Sequence, residues 1–173
     1  QDANTTLSAF VSCSMPNGQL RLVAAPDAGQ IGSVLVDANG NVASRVTRIS
    51  VFMAAAGNGE RAIGACMGDG RIVIAREIFS DSGERQLQIL RLRSDGSLDP
   101  GFGSGGESLV DMDAYSSTLT DAETPVGINL EADGGVLVSM ALSVNGSVTD
   151  AGLVRLSANG LVRFARHYST LPN

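Results

Sequence analysis

The chain has 173 residues and a net charge of −6, is 43% apolar, and contains 4% aromatics and no Trp. That length supports one domain with a dry core of Val, Leu, Ile, Ala and Met. All 12 basic residues are Arg and are outnumbered by acids, which argues against nucleic acid as a partner, and no apolar run reaches the roughly 20 residues of a membrane span.

The chain opens on Gln1-Asp2, a start that fits a mature N-terminus left by removal of an export signal. A secreted, periplasmic or cell-surface location is therefore expected. The first unit spans approximately 8–53. Its apolar arms flank MPNG, ending at Gly18, and then DANG, ending at Gly40. Ser44–Met53 partly alternates and extends the unit as further strand. The second unit, 61–110, repeats the plan with MGDG ending at Gly70 and RSDG ending at Gly96. The third, 124–170, has EADG ending at Gly134 and SANG ending at Gly160.

The two turns of a unit lie 22, 26 and 26 residues apart, and Ile31, Leu87 and Ala151 each precede the second glycine by nine. Asn or Asp beside Gly favours tight hairpins, and β-branched residues flank every turn. Each unit therefore reads as two hairpins, or four short antiparallel strands. The expected fold is all-β in a single repeat domain, three blade-like sheets in a propeller-like arrangement. No amphipathic helix is expected. Three blades leave two open ends, so self-association or another protein is the expected partner.

The segment LRLRSDGSLDPGFGSGG (90–106) resembles the signature of the delta-60 repeat proteins, and IGACMGDGRIVIARE (63–77) resembles its companion segment. Unit three matches at 126–142 and 153–160 but lacks the DPGFGSGG-like tail, and unit one is the most degenerate. The resemblance implies propeller-like blades in secreted or surface proteins of bacteria. It implies no settled biochemical activity.

Few residues offer chemistry. His167 is the only histidine, and the nucleophile–base pair of a hydrolase is missing, so no catalytic residue and no enzyme activity are expected. GFGSGG (101–106) lacks the strand–loop–helix setting of a phosphate cradle and reads as a turn between blades. No cofactor is expected. A calcium ion would draw on Asp95, Asp99, Asp111 and Asp113, with Asp121 and Glu123 nearby, but no EF-hand spacing is present and the preferred reading is no metal. Arg91 and Arg155 are equivalent and read as surface ion-pair partners of little energetic weight. Carbohydrate stacking lacks aromatic platforms. Cys13 and Cys66 fall one position apart in the aligned units. That offset argues against a disulfide, while an oxidising compartment would favour one, so the pair stays open between a disulfide and two thiols. The loops 26–30, 78–86 and 142–150 vary between units and are the expected recognition surface.

Overall fold

The computed structural model describes residues 8–27, 30–50, 62–79, 85–115, 122–144 and 147–169. It contains three four-stranded antiparallel sheets, each with its strands in sequence order. Sheet 1 holds β1 (Ser8–Ser14), β2 (Leu20–Asp27), β3 (Gln30–Val36) and β4 (Val42–Ser50). Sheet 2 holds β5 (Ala62–Cys66), β6 (Ile72–Phe79), β7 (Arg85–Leu92) and β8 (Glu107–Val110). Sheet 3 holds β9 (Ala122–Leu130), β10 (Val136–Val144), β11 (Ser147–Leu156) and β12 (Val162–Ser169). The first strands of consecutive sheets neighbour one another, β1 beside β5 and β5 beside β9, as blades do around an axis.

All six turns share one geometry. The residue three before the glycine accepts the glycine N–H at 2.8–3.0 Å and donates its own N–H to the residue after it at 2.7–2.9 Å. The six glycines have φ between 79° and 90°. This is a type I turn closed by a left-handed residue, a conformation glycine adopts without steric cost. Asp69, Asp95 and Asp133, each just before its glycine, accept a second bond from the amide two residues on. The hairpins are thus written locally, and the registers on either side follow from them.

Side-chain alternation gives every sheet a leading face toward the preceding sheet and a trailing face toward the next. In sheet 2 the leading face carries Ile72, Ile74, Leu90 and Leu92, packed on Cys13, Val23 and Ile31 of sheet 1. Its trailing face carries Val73, Ala75, Leu87 and Ile89, packed with Val136, Val138, Met140, Val154 and Leu156 of sheet 3. Ile72–Ala75 is a continuous apolar run because sheet 2 is covered on both sides.

Two expectations need correction. In unit two the fourth strand does not follow the RSDG turn. Leu98 makes an isolated bridge to Leu92, the chain loops through 99–106, and β8 then pairs with β7. After β8, a short 3-10 helix, Met112–Tyr115, lies in the connection between units two and three. Cys13 and Cys66, left open between a disulfide and two thiols, form a disulfide with Cα atoms 5.6 Å apart. It is the inference from their one-position offset that needs correction. Two stacked blades meet trailing face to leading face, so residues that touch across the junction point to opposite faces of their own sheets. An odd offset is what an inter-blade bridge requires. Val11 over Gly64 obeys the same rule: a Cβ on Gly64 would lie 2.6 Å from Val11 Cβ.

Candidate functional site

Both junctions between sheets are closed by an arginine that reaches the same place in the next blade. Arg21, on the trailing face of sheet 1 and buried, donates from Nη2 to the Ser94 carbonyl at 2.7 Å and from Nη1 to Ser33 Oγ at 3.1 Å. Arg91, on the trailing face of sheet 2 and equally buried, donates from Nη1 to the Ala158 carbonyl. Ser94 and Ala158 each stand two residues before the glycine of a second turn. The two arginines occupy one site from neighbouring strands: Arg21 pairs across the sheet with Leu35, and Arg91 with Val73. Burial lowers the Arg21 pKa from its ordinary value, and the charge of Asp95 pulls it back.

The stretch after Gly96 supports the second junction. Asp99 Oδ2 accepts from Arg91 Nε at 2.7 Å, and the Arg91 guanidinium lies 4.7 Å from the centre of the buried Phe102 ring. Burial would raise the Asp99 carboxyl, but the Gly101 amide and the Arg91 and Arg71 charges together hold it below the usual range. Gly103 donates its N–H to the Asn159 carbonyl at 2.8 Å, and Ser108 Oγ donates to the Gly160 carbonyl at 2.7 Å. GFGSGG is therefore a strut against the turn of the next blade. Arg91 is not the surface ion pair that sequence reading expected. Arg155 is nearer to it, with Nε 2.8 Å from Glu131 Oε2 and Asp133 alongside.

Among the described residues, the outer sheets have two faces without a neighbouring sheet. The leading face of sheet 1 presents Leu20, Leu22, Ala24, Gly32, Val34 and Val36, all apolar, with Leu20 and Leu22 exposed. The trailing face of sheet 3 presents Leu137, Ser139, Ala141, Ala151, Leu153 and Arg155, and none of these is buried. Every equivalent residue of sheet 2 on both faces is buried. Beside the sheet 3 face is a cleft of about 630 Å³, lined by Glu131, Asp133, Arg155, Ala158, Asn159 and Arg163 among others.

The four aspartates named for calcium do not form one group. Asp95 turns back onto Ser97, and Asp99 is engaged by Arg91. Asp111 and Asp113 instead meet Glu123, with one oxygen of each within 4.8 Å of the others. This is the acidic group found among the described residues; Asp121 lies outside them. Glu123 is fully buried. Its Oε1 accepts the Met112 N–H at 2.7 Å, and its Oε2 has no hydrogen-bond partner. Burial above all, then the charges of Asp111 and Asp113, push its pKa up to about 8 against the pull of the Met112 and Leu87 amides.

His167 on β12 hydrogen-bonds Asp150 on β11, a pair that sequence distance concealed. Arg21 was missed as well, yet its signal was present: it lies directly across the strand pair from the unit-one equivalent of Arg91. Of the three variable loops, residues 28–29, 80–84 and 145–146 lie outside the described set, as do Gln1-Asp2.

No helix among the described residues is long and apolar enough to cross a membrane. A family model described as a domain of unknown function (DUF5122) beta-propeller matches residues 68–102, from the first turn of unit two to Phe102. Neither the curated proteins nor the solved structures give a match. The matched stretch contains Arg91, Asp99 and Phe102, the side chains that close the second junction, so the chain is similar to a propeller-like repeat family in the part that joins one blade to the next.

Proposed function

We propose that this protein is an exported, non-enzymatic structural module of the delta-60 repeat kind, which joins further blades or a protein partner through its two uncovered faces. One observation carries the reading: the faces left bare on sheets 1 and 3 are those that sheet 2 buries on either side. Apolar sheet faces of this kind mark interaction surfaces when they stand uncovered. The Cys13–Cys66 disulfide supports export, because such bonds persist in oxidising compartments. The engagement of the single His167 with Asp150 on adjacent strands supports a structural role for it.

Light scattering over a wide dilution series tests the reading. A mass above one chain is expected, and a mass of 17.8 kDa at every concentration argues against it. Alkylation of cell fractions should find both cysteines blocked in exported material. A hydrolase panel run beside His167→Ala should show no turnover that the substitution removes.

A calcium-binding reading is favoured by one specific feature, the unpartnered buried Oε2 of Glu123 beside Asp111 and Asp113. Carboxylate oxygens at this spacing suit calcium, whose oxygen ligands lie at about 2.3–2.6 Å. Calorimetry with calcium, and terbium luminescence lost in Asp113→Asn, would support it. No heat and no luminescence would remove it.

A further inference from the structure

Resting on that reading, we infer that the occupant of both uncovered faces is a second copy of this chain, bound head to tail, with Arg155 of one copy on the Ala38 carbonyl of the other. The two internal junctions define a series. Arg21 takes the carbonyl two residues before Gly96, and Arg91 takes the carbonyl two residues before Gly160. The next arginine in the series is Arg155, aligned with Arg91 and standing in the 630 Å³ cleft. The next turn is the one that ends at Gly40, where the equivalent carbonyl belongs to Ala38, an exposed residue.

The apolar surfaces continue the same series. At the internal junction Val73 and Ile89 of sheet 2 meet a face of sheet 3 built on Val136, Val138 and Val154. The free trailing face offers Leu137 and Leu153 at the first two positions, and the free leading face offers Leu20, Leu22 and Val34 at the other three. Both free surfaces are therefore halves of a contact that the molecule already makes. They differ from one another, so the contact is heterologous. A two-fold axis makes it twice between two copies and closes six blades, within the range in which propellers close.

The test uses the 173-residue chain itself. Wild type is expected at twice 17.8 kDa by light scattering and sedimentation. Leu22→Asp and Arg155→Glu change opposite faces, and each should weaken the dimer by tenfold or more, on the order of the loss expected for a desolvated contact. Both side chains lie on free faces, so circular dichroism should stay at the wild-type level; Val34→Lys and Leu153→Lys serve where a variant fails to fold. Mixed one to one, the two monomeric variants should recover a two-chain mass, because each retains the face that the other lacks. A wild type that remains a single chain overturns both this inference and the self-association reading. A dimer that survives Arg155→Glu but not Leu22→Asp is back to back; it overturns the inference alone. The same holds if both variants remain dimeric, or if mixing them recovers nothing.

Discussion

Arg91 carries much of the second junction through one planar group. Its Nε holds Asp99, its Nη1 holds the Ala158 carbonyl, and its face covers Phe102. Removing it takes the nearest cation from Asp99, which keeps the Gly101 amide and the more distant Arg71, and leaves the Ala158 carbonyl without its side-chain donor. Arg91→Ala should therefore lower unfolding stability by about 3–5 kcal/mol in urea titrations, and Arg91→Lys should recover little, since an ammonium cannot bond in that fork. Glu123 has the opposite sign. Its folded pKa of about 8 lies above its ordinary 4.5. Between those two values the unfolded chain releases the proton and the folded chain keeps it, so stability falls as pH rises through that window and levels off above it. With chelator present, Glu123→Gln should be the more stable protein at pH 7, by about 3 kcal/mol, and the difference should vanish near pH 4. Chemical denaturation at the two pH values checks this. Neither role was legible in sequence. Arg91 looked like a repeated surface charge because periodicity gives the face of a sheet and not what covers it. Glu123 is brought to Asp111 and Asp113 by a 3-10 turn that no repeat pattern encodes.

At the scale of elements, the hairpins were legible and the joints between them were not. Each hairpin is closed by a few residues around a glycine, so MPNG and MGDG specify their own geometry whatever packs above them. The bridge from Cys13 to Cys66 depends on how two sheets face each other, and an alignment of units hides the reversal of faces at a junction. The path from Leu98 to β8 was equally hidden, because the 99–106 loop takes its shape from contact with the Asn159–Gly160 turn. Gly103 makes that dependence testable. Its φ is +54°, and a Cβ there would come within 1.9 Å of the Glu107 carbonyl oxygen. Gly103→Ala should displace the strut and cost more than about 2 kcal/mol, seen as a lower melting temperature together with faster hydrogen exchange at Ser108. The disulfide closes a separation of 53 residues between sheets 1 and 2. In the loop-entropy account its reduction costs at most about 4 kcal/mol. Melting with and without reductant should show that loss, and sheet 1 should exchange first because, among the described residues, the face that the bond secures is the one a neighbouring sheet covers.

For the whole molecule, stability is a matter of neighbours. A blade contributes little alone, and its core exists only where another sheet covers it. Leu22, Ile74 and Val138 occupy one repeat position in three settings: a free leading face, a junction with sheet 1 and a junction with sheet 2. The residues are alike in chemistry, so differences in their truncation measure the neighbour. Ile74→Ala removes a fully buried side chain and should cost about 2–5 kcal/mol at any protein concentration. Leu22 is 37% exposed, and in a dilute single chain Leu22→Ala should cost under about 1 kcal/mol. If the free faces are covered by a second copy, that small value cannot hold as the chain is concentrated. Ligation by an identical chain stabilises the folded state by mass action, and the wild type gains more from it than the truncated protein. The melting temperatures of wild type and Leu22→Ala should therefore diverge with concentration, while those of wild type and Ile74→Ala stay a constant interval apart. Parallel curves for both pairs would mean that the bare face of sheet 1 meets water at every concentration.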